Sequence, residues 1–190
     1  VAAATIGALA LGAGGYLGLV TGAVPVDLGV GRRRRPLGPL SVDVAAPREL
    51  VFDIIAEPYA ERSSRAAQDK VEVLERGQDM VLAAHFTPIR GRLRATTVET
   101  VRFERPGRVD FRLVRGPVPH VLETFTLEQH GDRTHLRYTG ELGTDLWGLG
   151  ERWADVVAPK WESVVREAFA AVKVEAERRR PRSTRAGDGR

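Results

Sequence analysis

The 190-residue sequence contains neither cysteine nor asparagine. Without cysteine the chain cannot form disulfides or thiolate metal sites, and it has no thiol nucleophile. It also lacks a Gly-rich phosphate loop with the right flanks, a Gly-x-Ser-x-Gly elbow and a His-Glu-x-x-His helix. Its four histidines do not occur at spacings typical of metal ligands. We therefore expect no metal and no cofactor, and we find no known nucleotide-binding or hydrolase signature.

The net positive charge of the chain, formally +4, is unevenly distributed. Four arginines occupy residues 32–35 and six more lie in 178–190, whereas residues 36–177 contain 19 basic and 23 acidic residues. Basic segments beside a membrane helix are attracted to anionic lipid headgroups by roughly 1 kcal/mol per charge. The distribution therefore favours a membrane surface as a partner and argues against nucleic acid.

Residues 1–26 contain no charged side chain. At about 1.5 Å per residue, a helix of this length can cross a hydrocarbon core of about 30 Å. The alternatives are a cleaved signal peptide and a segment bound at the membrane surface. A signal peptide normally carries its basic residues before its apolar core, whereas here Arg32–Arg35 follow it. Because positive residues stay inside, we predict a single transmembrane helix with the remaining chain on the cytoplasmic side.

Small residues recur every four positions in this stretch, at Ala10, Gly14, Gly18 and Gly22. Such a smooth stripe permits the close approach of a second helix. The sequence therefore allows a helix-mediated homodimer, although Gly-rich membrane segments are common without one.

The rest of the chain divides into a basic linker over residues 27–38, a domain over 39–177 and a disordered basic tail over 178–190. The domain opens with a strand pattern at 40–44, a helix that starts at Pro47 and ends before Pro58, and a second short helix near 59–67. Gly and Pro turns then separate six strand-like runs, which predict an antiparallel meander. These runs are Lys70–Glu75, Met80–Thr87, Arg92–Phe103, Arg108–Val114, His120–Glu128 and Arg133–Leu142.

The end of the domain has a helical period instead. Apolar residues from Leu149 to Val172 recur at intervals of three and four, which predicts a long amphipathic helix. Pro159 interrupts this pattern and removes a backbone donor, so we expect it to kink or split the helix.

Three segments carry a resemblance to a known family: PLSVDVAAPRELVFDIIAEP at 39–58, ATTVETVRFERPGRVDFRLVRGP at 95–117 and ETFTLEQHGDRTHLRYTGEL at 123–142. With the order of elements, they resemble the START-like superfamily in its polyketide cyclase/dehydrase and lipid transport branch. No single motif is diagnostic, and the resemblance covers 39–177. It implies an α+β helix-grip fold, in which a curved antiparallel sheet wraps around the long C-terminal helix. It also implies a cavity between them for lipids, sterols, polyketides or other apolar ligands.

We expect ten residues to line this cavity as ligand-binding candidates, and we assign none as catalytic. They are His85, Thr97, Glu99, Val101, His120, Glu123, Phe125, Trp153, Val157 and Trp161. The tryptophans are expected to pack in the core and to contact ligand as well. His130 and His135 flank a Gly131-Asp132 turn and are expected to be solvated.

Glu99 and Glu123 allow two interpretations. In an apolar cavity, a carboxylate or a histidine has a perturbed pKa and can act as a general acid or base for enolisation or dehydration. The more ordinary interpretation, which the sequence favours, is that both glutamates face solvent or pair across strands with Arg94, Arg112 or Arg137.

Two functions remain in competition, together with a less specific third. The favoured one is membrane-anchored binding of a hydrophobic small molecule or lipid, without catalysis. The alternative is a polyketide-type aromatase/cyclase or dehydrase that uses His85, His120, Glu99 or Glu123 as acid and base. It requires at least two of these groups to converge on one pocket. A protein-interaction module is the third, and no specific pattern supports it. The heavy use of arginine over lysine suggests a GC-rich bacterial genome.

Overall fold

The structure is a computed structural model that describes residues 15, 17, 18, 21–23, 27–61, 69–90 and 93–180. Its largest part consists of strands in which buried and exposed residues alternate. The elements in chain order are β1 (Arg33–Val44), α1 (Arg48–Ala56), a 3-10 turn (Glu57–Tyr59), β2 (Val71–Arg76), β3 (Met80–Arg90), β4 (Leu93–Glu104), β5 (Arg108–Arg115), β6 (His120–His130), β7 (Arg133–Thr144) and α2 (Trp147–Arg179). The six predicted strand runs correspond to β2–β7, with ends shifted by a few residues.

The strands form one antiparallel sheet in the order β1-β7-β6-β5-β4-β3-β2. Strands β2 to β7 follow each other as a meander, because short turns connect strands that are also neighbours in the sheet. The first strand, β1, then joins β7 at the far side. The antiparallel meander expected from the sequence is confirmed.

One face of the sheet packs against α2 and α1. On β5, Val109, Phe111 and Leu113 are buried and alternate with more exposed residues, as expected for a strand with one covered face. The ring of Phe125 on β6 lies 4.9 Å from that of Phe111 and 5.1 Å from that of Phe169 on α2. Such aromatic pairs contribute about 0.5–1.5 kcal/mol each beyond their buried area. The sheet and long helix form the helix-grip fold that the resemblance implied.

The arginine run is part of the domain and not of a linker. The sequence assigned residues 27–38 to a basic linker, but β1 begins at Arg33 and pairs with the end of β7. The physical reason lies far along the chain, where β7 and α2 supply acidic partners. Arg32, Arg33, Arg34 and Arg35 form ion pairs with Asp145, Glu151, Glu141 and Asp155, respectively.

Pro159 was expected to kink or split the long helix, and it does not split it, because α2 continues through this residue. Pro159 is exposed, and the buried residues Val157, Ala158 and Val165 on either side of it keep the helix against the sheet. Packing on both sides therefore offsets the missing backbone hydrogen bond. The helix also extends through Arg179, so the predicted basic tail begins as helix; residues 181–190 lie outside the described part. Of the predicted short helix near 59–67, only Tyr59 is in a helical element, the 3-10 turn; residues 62–68 lie outside the described part.

Most of the predicted transmembrane span over 1–26 lies outside the described residues. Within the part that is described, no helix is long and apolar enough to cross a membrane. The described residues 21–23 lie against the sheet: the Thr21 carbonyl accepts a hydrogen bond from the Thr96 backbone at 3.0 Å, and Arg115 donates to the carbonyls of Gly22 and Ala23 at 3.3 and 3.1 Å. The anchor, its cytoplasmic orientation and the helix-mediated dimer stay predictions.

Candidate active site

Two glutamates lie on the sheet face that packs against α2. Glu99 on β4 is 6% exposed and Glu123 on β6 is 8% exposed. Each shares its face with a buried valine two residues away, Val101 and Val121, because side chains alternate along a strand. The interpretation that both glutamates face solvent or pair with surface arginines is therefore wrong.

A tyrosine and a histidine adjoin Glu99. His85 lies on the neighbouring strand β3, where its nitrogen Nδ1 is 3.5 Å from Oε2 of Glu99. Its other ring nitrogen, Nε2, is 2.9 Å from the hydroxyl of Tyr59, which follows α1 in the 3-10 turn. The Nδ1 atom is buried and makes no hydrogen bond of regular geometry with the described residues. The imidazole therefore lies between the Tyr59 hydroxyl and the Glu99 carboxyl group, with Nδ1 facing the carboxyl group at more than the length of a regular hydrogen bond.

The long helix supplies a partner for the second glutamate. The Trp161 indole Nε1 donates a hydrogen bond to Oε1 of Glu123 at 2.7 Å. The buried hydroxyl of Tyr138 on β7 lies close enough to Glu123 to lower its pKa, yet no regular hydrogen bond to a described residue engages it. Glu123 therefore has two side-chain neighbours that favour its ionised form, the Trp161 indole and the Tyr138 hydroxyl.

Burial determines the protonation of the cluster. It raises the pKa of Glu99 to about 7 and that of Glu123 to about 8, and the charge of Glu99 adds to the shift of Glu123. Burial also lowers the pKa of His85 to about 4, so this imidazole is neutral at pH 7. The pKa of Tyr59 rises through burial and through the charges of Glu99 and Glu123, so these groups form one electrostatic cluster. Near neutral pH it holds both a protonated carboxyl donor and a neutral imidazole acceptor.

Most of the remaining candidates lie around this cluster. Thr97 bonds to Glu99 and opposes the rise of its pKa. Val101 is fully buried, and Val157 on α2 is 8% exposed. Phe125 stands in the aromatic core, in contact with Phe111 and Phe169 as described above. The partly buried Trp153 donates through Nε1 to the Pro117 carbonyl at 2.8 Å.

His120 is different, and the expectation that it faces the interior is wrong. Val121 and Glu123 of the same strand are buried, so His120 points to the opposite face of the sheet together with exposed Leu122. There its Nε2 lies 3.0 Å from Oε1 of Glu141. Three of the four proposed acid–base groups, His85, Glu99 and Glu123, therefore share the covered face of the sheet, whereas His120 does not.

Sequence reasoning missed Tyr59 and Tyr138. The alternation of Leu136, Tyr138 and Leu142 on β7 could have placed Tyr138 inside, because buried leucines lie on the same face. No local signal identifies Tyr59, since its hydroxyl meets His85 only through the fold. Among the described residues no cluster of three or more His, Asp or Glu side chains could hold a metal ion.

A surface groove of about 570 Å³ lies beside Tyr59. Its lining consists of Pro58, Ala60 and Glu61 on one side and residues 71–76 of β2 on the other. The volume falls in the range of small-molecule sites, and β2 pairs with the strand that carries His85. None of Tyr59, His85, Glu99 and Glu123 lines the groove, which lies on the strand next to the one that carries His85.

Comparisons with known proteins agree with the observed fold. No curated protein matches the sequence. Among solved structures, the Zhui aromatase/cyclase from Streptomyces sp. R1128 is 24% identical with a TM-score of 0.58, over 78% of this chain and 95% of that chain. Norcoclaurine synthase from Thalictrum flavum is 12% identical with a TM-score of 0.57, over 76% and 87%. The di-domain ARO/CYC StfQ from the steffimycin biosynthetic pathway is 25% identical with a TM-score of 0.53, over 74% and 44%.

These likenesses establish the helix-grip fold. The family is identified from the sequence, because residues 40–177 match the family model described as polyketide cyclase/dehydrase and lipid transport. That match covers most of the chain, and it spans every strand from β2 to β7 and nearly all of α2. The chain therefore belongs to the polyketide cyclase/dehydrase and lipid transport family.

Proposed function

We propose that the domain binds a polyketide-like compound between the sheet and α2, and catalyses its cyclisation or dehydration by acid–base chemistry. The observation that carries the proposal is the burial of Glu99 and Glu123 on one face beside the neutral imidazole of His85. Titratable groups whose pKa values are shifted by burial are typical of functional sites. The family and the aromatase/cyclases of the same fold support the same kind of chemistry.

The cluster suits a substrate with several carbonyl groups. A carboxylate of the pair removes a proton from a methylene carbon between two carbonyls, which gives an enolate. The enolate carbon then bonds to a second carbonyl carbon of the same molecule, and a protonated carboxyl donates its proton to the resulting alkoxide. In a dehydration, the base takes a further carbon-bound proton while the acid protonates the departing hydroxyl, which leaves as water. The raised pKa values of Glu99 and Glu123 allow each to hold or accept a proton near neutral pH.

Substrate orientation would come from buried polar atoms that face the two glutamates without regular hydrogen bonds within the described part of the chain. The Tyr138 hydroxyl and the His85 Nδ1 atom are both buried and without regular hydrogen bonds to the described residues. Carbonyl and enol oxygens of a substrate are suitable partners for them. Val101, Phe125 and Val157 would provide the apolar walls. The groove beside Tyr59 is the approach that we expect the substrate to use.

Binding without catalysis is the second candidate, because most of the face around the two glutamates is apolar. In that case the domain would hold a hydrophobic small molecule or lipid, and the anchor predicted from the sequence would keep it near a membrane. The two candidates differ in whether a bound compound is converted.

The test compares Glu99→Gln and Glu123→Gln with Glu128→Gln, which changes an exposed residue of the same strand as Glu123. Each variant is mixed with a reactive poly-β-ketone thioester, and cyclised product is followed by mass spectrometry. General acid–base catalysis contributes about 10²–10⁴-fold, so we expect both buried variants to lose at least 100-fold in rate while Glu128→Gln retains it. Quenching of tryptophan fluorescence reports binding separately. If the native chain binds the thioester tightly but does not convert it, the enzyme proposal is rejected in favour of the carrier. If it neither binds nor converts the thioester, both proposals are rejected.

A further inference from the structure

Four exposed apolar side chains gather at one end of the domain. Leu28 and Val30 precede β1, and Trp147 and Leu149 open α2; their exposed fractions are 56%, 48%, 54% and 66%. The two segments are joined by backbone hydrogen bonds, from the Leu146 nitrogen to the Val30 carbonyl at 2.8 Å and from the Trp147 nitrogen to the Gly31 carbonyl at 3.0 Å. We call Leu28, Val30, Trp147 and Leu149 the apolar end patch.

The domain holds this patch in place with a buried carboxylate. Asp145 is 5% exposed and accepts hydrogen bonds from the backbone nitrogens of Leu28 and Gly29 at 2.7 and 2.8 Å. It also accepts one from Nε of Arg32 at 2.7 Å. Such charge-assisted hydrogen bonds are among the stronger ones in proteins. The segment that carries Leu28 and Val30 is therefore fixed against the start of α2.

The backbone is strained at Leu146 and Trp147, where the indole ring of the patch is attached. Leu146 and Trp147 have φ angles of 68° and 48°, in the left-handed region that non-glycine residues adopt at a cost of about 1–3 kcal/mol each. Gly31 lies under the ring, where a Cβ atom would be 2.3 Å from the Trp147 side chain. A large aromatic side chain is thus kept half exposed by an arrangement that costs stability.

In the sequence, the patch follows the uncharged N-terminal stretch. Residues 1–26 carry no charge and lead directly to Asp27 and Leu28. The described residues 21–23 contact Thr96 near the start of β4 and Arg115 at the end of β5. In the antiparallel sheet these strand ends lie at the same end of the domain as the end of β7, where α2 begins. The described residues 21–23 and the patch therefore share one end of the domain.

We propose that the apolar end patch rests in the interfacial layer of a lipid bilayer. Tryptophan and leucine side chains that protrude together are suited to the boundary between headgroups and acyl chains, where an indole ring keeps its polar N–H hydrated. The arginines beside the patch are engaged in ion pairs, among them Arg33 with Glu151 and Arg35 with Asp155. The contact therefore depends on apolar insertion and does not require anionic lipid.

The absence of cysteine makes the test direct, because a single introduced cysteine can be labelled specifically. Leu149→Cys places an environment-sensitive fluorophore in the patch. Val174→Cys is a matched control, since Val174 lies on the same helix and is 67% exposed, while 25 residues at about 1.5 Å each separate it from position 149. The full chain is mixed with vesicles of phosphatidylcholine that carry a nitroxide quencher on the acyl chains.

We expect at least twofold quenching and a blue-shifted emission at position 149, with neither change at position 174. A second label at position 28, from Leu28→Cys, should behave like the label at 149, because both belong to the patch. Circular dichroism of each variant checks that the domain is folded. Equal quenching at 149 and 174, or none at either, would overturn the proposal.

Two further results would also overturn it and would name another occupant. If the label at 149 is already blue-shifted without vesicles, the patch is covered by residues 1–26 or, where the shift disappears on dilution, by a second copy of the chain. If quenching at 149 requires phosphatidylserine in the vesicles, the contact is electrostatic and the arginine run is responsible for it.

Discussion

Glutamine at position 123 would keep the shape of the buried glutamate but could not ionise. Its oxygen can still accept the hydrogen bond from Trp161, so Glu123→Gln removes the charge and little else. Because the charged form is the one that burial disfavours, the variant should differ from the native protein only where Glu123 is ionised. We expect equal stability in acid and a more stable variant in alkaline solution.

The magnitude follows from the pKa of Glu123, which burial raises from 4.5 to about 8. One pKa unit corresponds to about 1.36 kcal/mol, so ionising this group in the folded chain costs on the order of 3–5 kcal/mol. A folded-state pKa above the unfolded value gives stability that is complete below about pH 4.5 and is lost as the pH rises through about 8. Glu99 acts in the same direction through about pH 7. His85, whose pKa is lowered from 6.5 to about 4, has the opposite sign and loses its contribution as the pH falls through 4.

Urea denaturation followed by tryptophan fluorescence at a series of pH values measures this difference. The native free energy of unfolding should fall from mildly acidic to alkaline pH, and the Glu123→Gln curve should fall less, by on the order of 3 kcal/mol near pH 9. Glu128→Gln, on the same strand but exposed, should follow the native curve. Parallel curves for Glu123→Gln and the native chain would refute the argument, because they would mean that burial does not penalise the carboxylate.

Two other substitutions test the partners of buried carboxylates. Trp161→Phe removes the hydrogen bond that favours ionised Glu123, so the pKa of Glu123 should rise further; infrared titration of the carboxyl band measures it, and an unchanged midpoint would contradict the assignment. Asp145→Ala leaves two backbone nitrogens and Arg32 without their acceptor and should cost roughly 3 kcal/mol in urea denaturation. Asp27→Ala removes only the exposed partner of the same arginine, and a similar loss there would show that Asp145 has no special role.

The sheet was largely predictable because its signals are local. The alternation in β5, with Val109, Phe111 and Leu113 inside, and the Gly and Pro turns between strands are visible in the sequence. The start of β1 was not predictable in this way. An arginine run has the composition of a solvated linker, and only the acidic residues of β7 and α2, more than a hundred positions later, make it part of the sheet.

The candidate site was only partly predictable: the sequence singled out His85, Glu99 and Glu123, but neither their orientation nor the two tyrosines. Alternation places Glu123 opposite His120 within β6, yet polar residues on both faces do not reveal which one is covered. The contact of Trp161 with Glu123 depends on how α2 crosses the sheet, and that of Tyr59 with His85 depends on the 3-10 turn after α1. These contacts are set by tertiary packing, so no local pattern contains them.

The cost of the buried glutamates bears on the choice between enzyme and carrier. A cavity for apolar ligands gains nothing from two carboxyl groups, since apolar residues of similar volume would pack without a desolvation penalty. Proteins retain such costs mainly at functional sites, where a polar group is needed for chemistry or recognition. The Tyr138 hydroxyl and His85 Nδ1 make no regular hydrogen bonds to the described residues and point the same way, because a substrate rich in oxygen atoms would bond to them. The loss of stability caused by the two buried glutamates at neutral pH therefore favours an enzyme that transfers protons over a passive carrier.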